Sequence, residues 1–367
     1  MRVLALEPYY GGSHRAFLDG WVAHSRHEWT VLGLPPRKWK WWMRHAAVTW
    51  VAEVERLVAE GQRWDVIFCS DMLNLAEFRG LCPPVIQALP SIAYFHENQL
   101  TYPVRHESEL DYHFVFTNLT TALAATQVWF NSAFHRDQWL VALPAFLKRM
   151  PDYQPLAAVD QIAAKASVVH PGIEPMPARG ARREGPLRIL WSARWEHDKN
   201  PEAFFSAIEK LEAAGVPFRL SVLGEQFRDQ PAVFDRARDL FADHIDRWGY
   251  QPSREAYVKA LLDADVVVST ADHEFFGISV VEAIAAGAYP LLPERLAYPE
   301  ILGEGKVERG GRFFYDGSVE HLAARLIELA GSEDLWAGDD DELVRYVQRY
   351  HWGTLTPMMD EAIETLA

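Results

Sequence analysis

Residues 264–292 read ADVVVSTADHEFFGISVVEAIAAGAYPLL. Asp265–Ser269 is short, apolar and β-branched, the signature of a buried strand. A polar loop follows it, then a helical stretch at Ser279–Ala286, closed by Gly287. A second strand pattern begins at Tyr289 and runs to Leu292. Strand, loop, helix and strand in one stretch make a β-α-β unit. Its crossover helix forces the two strands to run parallel.

The same alternation extends in both directions. Upstream lie a strand at Leu187–Trp191, a helix at Pro201–Ala214, a strand at Phe218–Leu223 and a helix at Arg254–Ala264. Downstream a helix covers Val319–Ala330. A separate series occupies the first half. Its strands are expected at Val3–Leu6, Trp29–Leu32, Val66–Cys69, Ile92–Phe95, Gln127–Phe130 and Ala166–Val169. Its helices fall near His14–Ala23, Arg44–Glu60, Asp111–Ala124 and Ala133–Leu140. Between the series, Pro175, Pro177 and Gly180 cluster with charge, as linkers do. The expected organisation is a first domain over 1–173, a linker over 174–185, a second domain over 186–345, and a helical segment over 346–367 that returns to the first domain. The fold class is α/β, with two Rossmann-like doubly wound domains facing across a cleft. Such sheets bind ligands beyond the carboxyl ends of their strands.

Composition narrows the function. A chain of 367 residues with 49% apolar content can fill two cores. Its net charge of -15 repels polyanions at long range, so any nucleic-acid contact must be a local basic patch. The two cysteines, Cys69 and Cys82, are far from any C-x-x-C pairing. They suggest neither a disulfide framework nor a zinc site, and fit a cytoplasmic chain. The start of the sequence lacks a signal-peptide core. No apolar run reaches the roughly 20 residues of a membrane span.

Four groups of residues carry chemistry. Gly11 and Gly12 follow the first strand, where glycines allow a backbone to approach a diphosphate; a tight turn capped by Ser13 is the plainer alternative. Arg194 and Lys199 lie between a strand and a helix that opens at Asn200-Pro201, and two cations there can neutralise a diphosphate leaving group. Asn200 as helix cap with Pro201 at the first turn fits the same residues. Glu274 and Glu282 flank Phe276-Gly277-Ile278, where a helix N-terminus offers amides to a phosphate. One carboxylate can then meet sugar hydroxyls and the other a ribose diol. Finally, His96-Glu97-Asn98-Gln99 follows a strand at the expected cleft mouth. His96 could contact the sugar or its phosphate and Glu97 the acceptor hydroxyl, against the alternative of a hydrogen-bonded core histidine. Asp263-Ala264-Asp265 reads as a helix–strand junction, so neither a catalytic metal nor a further cofactor is expected.

A basic stretch stands apart from the acidic remainder. Arg37, Lys38, Lys40 and Arg44 alternate with Trp39, Trp41 and Trp42, and His45 adds a charge when protonated. Cations and indoles in alternation suit phosphate contact and base stacking. A helix start with its tryptophans in the core, or a membrane-surface patch, fits the composition as well.

The stretch Glu274–Gly287, with Arg194 and Lys199 upstream, resembles the donor site of retaining GT-B glycosyltransferases of the glycosyltransferase-4 type. The first domain narrows the resemblance. Glu7-Pro8-Tyr9-Tyr10-Gly11-Gly12-Ser13-His14, Leu34–Trp41, Phe95–Leu100 with Tyr102-Pro103, and Phe130-Asn131-Ser132 are similar to the tRNA-queuosine α-mannosyltransferase family, as is Leu296–Glu300 in the second domain. The resemblance spans nearly the whole chain. It implies transfer of mannose from GDP-mannose to queuosine of a tRNA such as tRNA-Asp, without a membrane partner. It also implies that Gly11, Gly12, Arg194, Lys199, Phe276, Gly277, Ile278 and Glu282 bind the donor. His96, Glu97 and Glu274 would serve the chemistry. Arg37, Lys38, Trp39, Lys40, Trp41, Arg44, Asn98 and Gln99 would meet the tRNA. Competing expectations are a transferase for a lipid or polysaccharide, a non-catalytic tRNA-binding module on the same scaffold, and a nucleotide-sugar epimerase.

Overall fold

The computed structural model describes residues 1–103, 111–180, 182, 184–227, 230–303, 310–335 and 340–366. Residues 181 and 183 of the expected linker lie outside this set, as do 104–110 of the expected first domain, 228–229, 304–309 and 336–339 of the second, and 367 of the last segment. The chain forms two compact units. One comprises Met1–Gly172 and Trp352–Ala367, the other Ile173–His351.

The first unit is built on β1 (Arg2–Glu7), β2 (Glu28–Gly33), β3 (Val66–Ser70), β4 (Ser91–Phe95), β5 (Gln127–Phe130) and β6 (Ala166–Val168). All six pair in parallel, in the order β2-β1-β3-β4-β5-β6. The order reverses at the β1/β3 boundary. Both faces of the sheet are covered, which is why its strands are apolar without alternation. Val3 and Ala5 pack with Phe17, Trp21 and Trp352 on one face. Leu4 and Leu6 pack with Trp50, Val54 and Trp139 on the other.

The final helix, Trp352–Glu364, belongs to this first unit. It is anchored by Asp360, which is 1% exposed. The Asp360 carboxylate accepts from Trp21 Nε1 at 2.9 Å, Ser25 Oγ at 2.8 Å and the Arg26 amide at 2.9 Å. Arg26 also pairs with Glu364 at 2.8 Å.

The second unit repeats the design with β7 (Leu187–Ser192), β8 (Phe218–Leu223), β9 (Ile245–Gly249), β10 (Val266–Val268), β11 (Tyr289–Pro293) and β12 (Phe314–Tyr315). These also pair in parallel, in the order β12-β11-β10-β7-β8-β9. Here the reversal lies between β7 and β10. The edge strands β9 and β12 are absent from the pattern expected above. β9 is half-exposed and interrupts its apolar residues with Asp246 and Arg247, and β12 has two residues.

Two local expectations change. The helix expected from Arg44 runs over Trp39–Ala59, entered through Lys38 at a left-handed φ of 55°. The basic stretch therefore lies largely on a helix. The helix expected at His14 opens at Gly12, with Gly11 extended and no side-chain cap, so the Ser13 cap does not form.

Replacing Asp360 with alanine leaves the buried Trp21 indole, the half-buried Ser25 hydroxyl and the Arg26 amide without an acceptor. Urea denaturation followed by tryptophan fluorescence should show a loss of about 3 kcal/mol.

Candidate active site

In the second unit, the two strands at the reversal point deliver the candidate donor residues. The loop after β7 carries Arg194, Asp198 and Lys199. The loop after β10 carries His273 and Glu274 and leads to the helix Ile278–Ala285. Asn200 caps the helix Pro201–Ala213, its side chain accepting from the Ala203 amide at 3.2 Å. That cap fixes where Lys199 leaves the backbone.

Lys199 is 6% exposed. Its ammonium donates to the His273 carbonyl at 2.7 Å and to Glu274 Oε2 at 3.3 Å, and lies 3.0 Å from Asp198 Oδ2. Burial works against this charge, but Glu274 and Asp198 outweigh it and raise the Lys199 pKa. His273 is driven the other way. Burial and the neighbouring Lys199 push it down to about 4, so it is neutral at ordinary pH. Arg194 is more exposed and lies 3.2 Å from Glu196.

Gly277 adopts φ +92° as the N-cap of its helix, a conformation that favours glycine. Phe276 is buried and packs edge-on to Tyr350 at 5.3 Å. Ser279 Oγ donates to the Ser192 carbonyl at 2.7 Å, tying the helix start to the end of β7. Ile278 and Ser279 therefore hold their amides, which have no partner within the helix, beside the loop of Arg194 and Lys199. Glu282, one turn on, is gripped twice. Arg254 reaches Oε1 at 2.7 Å, and the Tyr257 hydroxyl donates to Oε2 at 2.9 Å. Burial and Glu282 hold the Tyr257 hydroxyl well above the ordinary phenol range, so it remains a donor. Arg254 and Tyr257 were not singled out in the sequence. Their one trace there is an i, i+3 spacing, which says nothing about a partner on another helix.

The Asp263-Ala264-Asp265 string is spent on ion pairs. Asp263 accepts from Arg247 at 2.6 Å, and Asp265 meets Arg179 at 2.8 Å and the Arg188 amide at 3.0 Å.

In the first unit, Gly11 sits against Pro36, and a Cβ there would come within 2.3 Å of the Pro36 ring. This glycine serves packing. Gly12, at φ +52°, faces open space within 4 Å. His96 follows β4, and its amide donates to Asp71 Oδ1 at 2.9 Å. Glu97 is half-buried and accepts from Gln99 Nε2 at 3.1 Å.

Asn98 departs from its expected contact with tRNA. It is 0% exposed. Its amide donates to Thr101 Oγ1 at 2.8 Å and meets His135 Nε2 at 2.9 Å, while its oxygen accepts the Leu100 and Thr101 amides. Asn98 shapes the loop from within. His135 is its fully buried partner.

The basic stretch divides as well. Arg37, Lys38, Lys40 and Arg44 are exposed. Trp39 is half-buried against Phe114, ring centroids 5.3 Å apart, beside Met43 and Met72. Trp41 is 55% exposed and stacks on His45 at 4.6 Å and 18°. One indole serves the core and one is offered outward.

A buried cluster in the first unit also went unread. Donor atoms of Glu7, His14 and His96 lie within 4.8 Å of one another, close enough for a metal ion to be considered. However, Glu7 Oε1 already faces three donors: the Tyr9 amide at 2.9 Å, Ser70 Oγ at 2.9 Å and His14 Nδ1 at 3.2 Å. That geometry is a carboxylate–imidazolium pair.

Family matches run through both units. Residues 2–173 match the family model described as tRNA-queuosine alpha-mannosyltransferase N-terminal, and residues 173–342 match glycosyl transferases group 1. The tRNA-queuosine alpha-mannosyltransferase of Drosophila melanogaster is 35% identical over 311 residues, covering 82% of this chain and 81% of the fly protein. The chain belongs to the tRNA-queuosine alpha-mannosyltransferase family. It is a glycosyltransferase. A GDP-mannose-dependent alpha-(1-6)-phosphatidylinositol dimannoside mannosyltransferase of Mycobacterium tuberculosis is 27% identical over 154 residues, 39% of each protein. Sucrose-phosphate synthase of Thermosynechococcus elongatus has the same GT-B fold, with a TM-score of 0.72 at 14% identity over 100% of this chain and 98% of that one.

Two predictions follow from these contacts. Replacing Glu282 with alanine should weaken nucleotide binding about tenfold by calorimetry, the loss of about one charge-assisted hydrogen bond, with circular dichroism unchanged. The His14–Glu7 pair sets a pH limit. Burial lowers the His14 pKa, but Glu7 outweighs it and lifts the group from 6.5 to about 9. A raised histidine stabilises the fold fully below its unfolded pKa, and that contribution is lost as pH climbs through the folded one. Thermal stability should therefore fall between pH 6.5 and 9, and His14→Gln should flatten that slope.

Proposed function

We propose that the enzyme transfers mannose from GDP-mannose to the cyclopentene diol of queuosine in tRNA, with tRNA-Asp as an acceptor and with retention at the anomeric carbon. The observation that carries this reading is the likeness to the fly protein, which runs through both units and not the donor unit alone.

The donor-side geometry supports a nucleoside diphosphate sugar. Arg194, Lys199 and the amides of Ile278 and Ser279 would hold the diphosphate. Two cations and a helix N-terminus can neutralise it without a metal. Glu282, already oriented by Arg254 and Tyr257, would accept from the ribose diol. Glu274, held by Lys199, would position the sugar through its hydroxyls. On the first unit, His96 and Glu97 would contact the sugar and the acceptor hydroxyl, with Gly12 open to the donor. In the transfer, the bond from the anomeric carbon to the β-phosphate oxygen breaks. A bond to the queuosine oxygen forms on the same face, and the departing phosphate takes the hydroxyl proton. No covalent enzyme intermediate is required.

The acceptor side rests on the exposed cations Arg37, Lys38, Lys40 and Arg44 and on the outward Trp41. A local positive patch in an acidic chain confines polyanion binding to one place. Base stacking on Trp41 would add affinity without reading sequence. Among the described residues, no helix is long and apolar enough to cross a membrane. A cytoplasmic site of action agrees with a tRNA acceptor.

The test is a panel of nucleotide sugars with queuosine-containing and queuosine-free tRNA, read by mass spectrometry of nucleosides. A hexose should appear only with GDP-mannose and only on queuosine. Incorporation into a lipid or polysaccharide, with none into tRNA, would overturn the acceptor. Trp41→Ala should weaken tRNA binding about tenfold, while Arg44→Ala should lower the slope of affinity against salt by about one unit. Glu274→Ala should fold normally and lose turnover by about a hundredfold or more.

A further inference from the structure

Glu7 ends β1, Asp71 follows β3 and His96 follows β4. These are three neighbouring strands of the first sheet, and β1 and β3 flank its reversal point. His14 comes from the first turn of the helix Gly12–His24. Glu7, Asp71 and His14 are 1%, 0% and 7% exposed. The His14 and His96 rings lie 4.0 Å apart at 33°. Phe17 and Tyr94 meet His96 edge-on at 5.2 and 4.6 Å. Glu7 Oε2, Asp71 Oδ2 and His96 Nε2 are buried without a hydrogen-bond partner. Such orphaned atoms are costly unless a ligand or a task accounts for them.

We propose that Glu7 and His14 are positioning residues for the transfer, acting through His96: the pair backs the His96 ring and fixes the orientation in which that ring meets substrate. This rests on the assignment of His96 to the transfer site.

Charge supports the arrangement. Three carboxyl groups face His14: Glu7 at the end of β1, Asp71 beyond β3 and Glu97 beyond β4. Burial opposes its proton and Glu7 chiefly restores it, while burial pushes the Asp71 carboxyl itself well above the usual range. His96 is pushed well below the ordinary range by burial, then by His14, then by His135. His135 itself is bridged between Asn131 Oδ1 at 2.8 Å and the Asn98 amide at 2.9 Å. A cation behind His96 thus leaves it uncharged, with one nitrogen to donate and one to accept.

The test uses the full chain with histidine ring nitrogens labelled, comparing wild type, Glu7→Gln, Glu7→Asp, His14→Gln and His96→Ala by NMR and by transfer kinetics. In the wild type, His14 should carry two ring protons through pH 8, and His96 should keep a single one well below the pH at which a free imidazole takes its charge. In Glu7→Gln, His14 should lose its charge near neutrality and His96 should begin to titrate. kcat should fall at least tenfold with KM for the nucleotide sugar within twofold, and the acid limb of the pH profile should move upward. Glu7→Asp should recover part of the loss. Should Glu7→Gln not fold, His14→Gln gives the His96 titration and the kinetic readouts. If His96→Ala lowers kcat and the Glu7 and His14 variants do not, the positioning proposal falls alone. If His96→Ala also leaves kcat unchanged, the assignment of His96 falls, and this proposal with it. One equivalent of zinc bound by the wild type and lost in His14→Gln would make the group a metal site and overturn the proposal.

Discussion

A buried ammonium cannot stand alone in a protein interior, and Lys199 does not. It lies among Asp198, Glu274 and the His273 carbonyl. The contact joins the loop after β7 to the loop after β10, the two strands between which the sheet order reverses. One ion-paired cation therefore orders both halves of the candidate donor site. It places Glu274 beside a helix N-terminus and leaves His273 neutral. Two carboxylates grip one ammonium, so this corner of the second unit is held by electrostatics as much as by packing.

The first unit uses the same logic with different residues. Glu7 and His14 form a buried pair at the ends of its central strands, and His96 lies against it. Both units place ionised side chains at the strand ends next to the reversal of strand order, where a doubly wound sheet opens to ligands. Apolar strands supply the cores on either side. The return of the last helix to the first unit, through Asp360, makes the chain's end part of that first core.

Much of this was legible in the sequence. Apolar runs such as Val3–Leu6 and Val266–Val268 are long enough and buried enough to announce central parallel strands. The polar edge strand β9 carries no such signal. Glu274 and Glu282 could be named because a glycine and a helix start lie between them. Arg254 and Tyr257 could not, because their partner Glu282 lies on another helix. Asn98 looked like a surface ligand because asparagine usually is one. Its burial depends on His135, far along the chain, which no local pattern reveals. Trp39 and Trp41 have the same residue type and neighbourhood. Only the entry through Lys38 sets which of them faces Phe114 and which faces outward.

The central claim is that the donor is held by the loops and helix start around Lys199, Glu274 and Glu282. Hydrogen–deuterium exchange of the full chain with and without GDP-mannose tests it most directly. The account predicts slower exchange in peptides covering 192–200 and 269–284, with the Glu282→Ala variant losing that protection at the same ligand concentration. Protection confined to other parts of the chain, or unchanged exchange in these two segments at saturating donor, would contradict it.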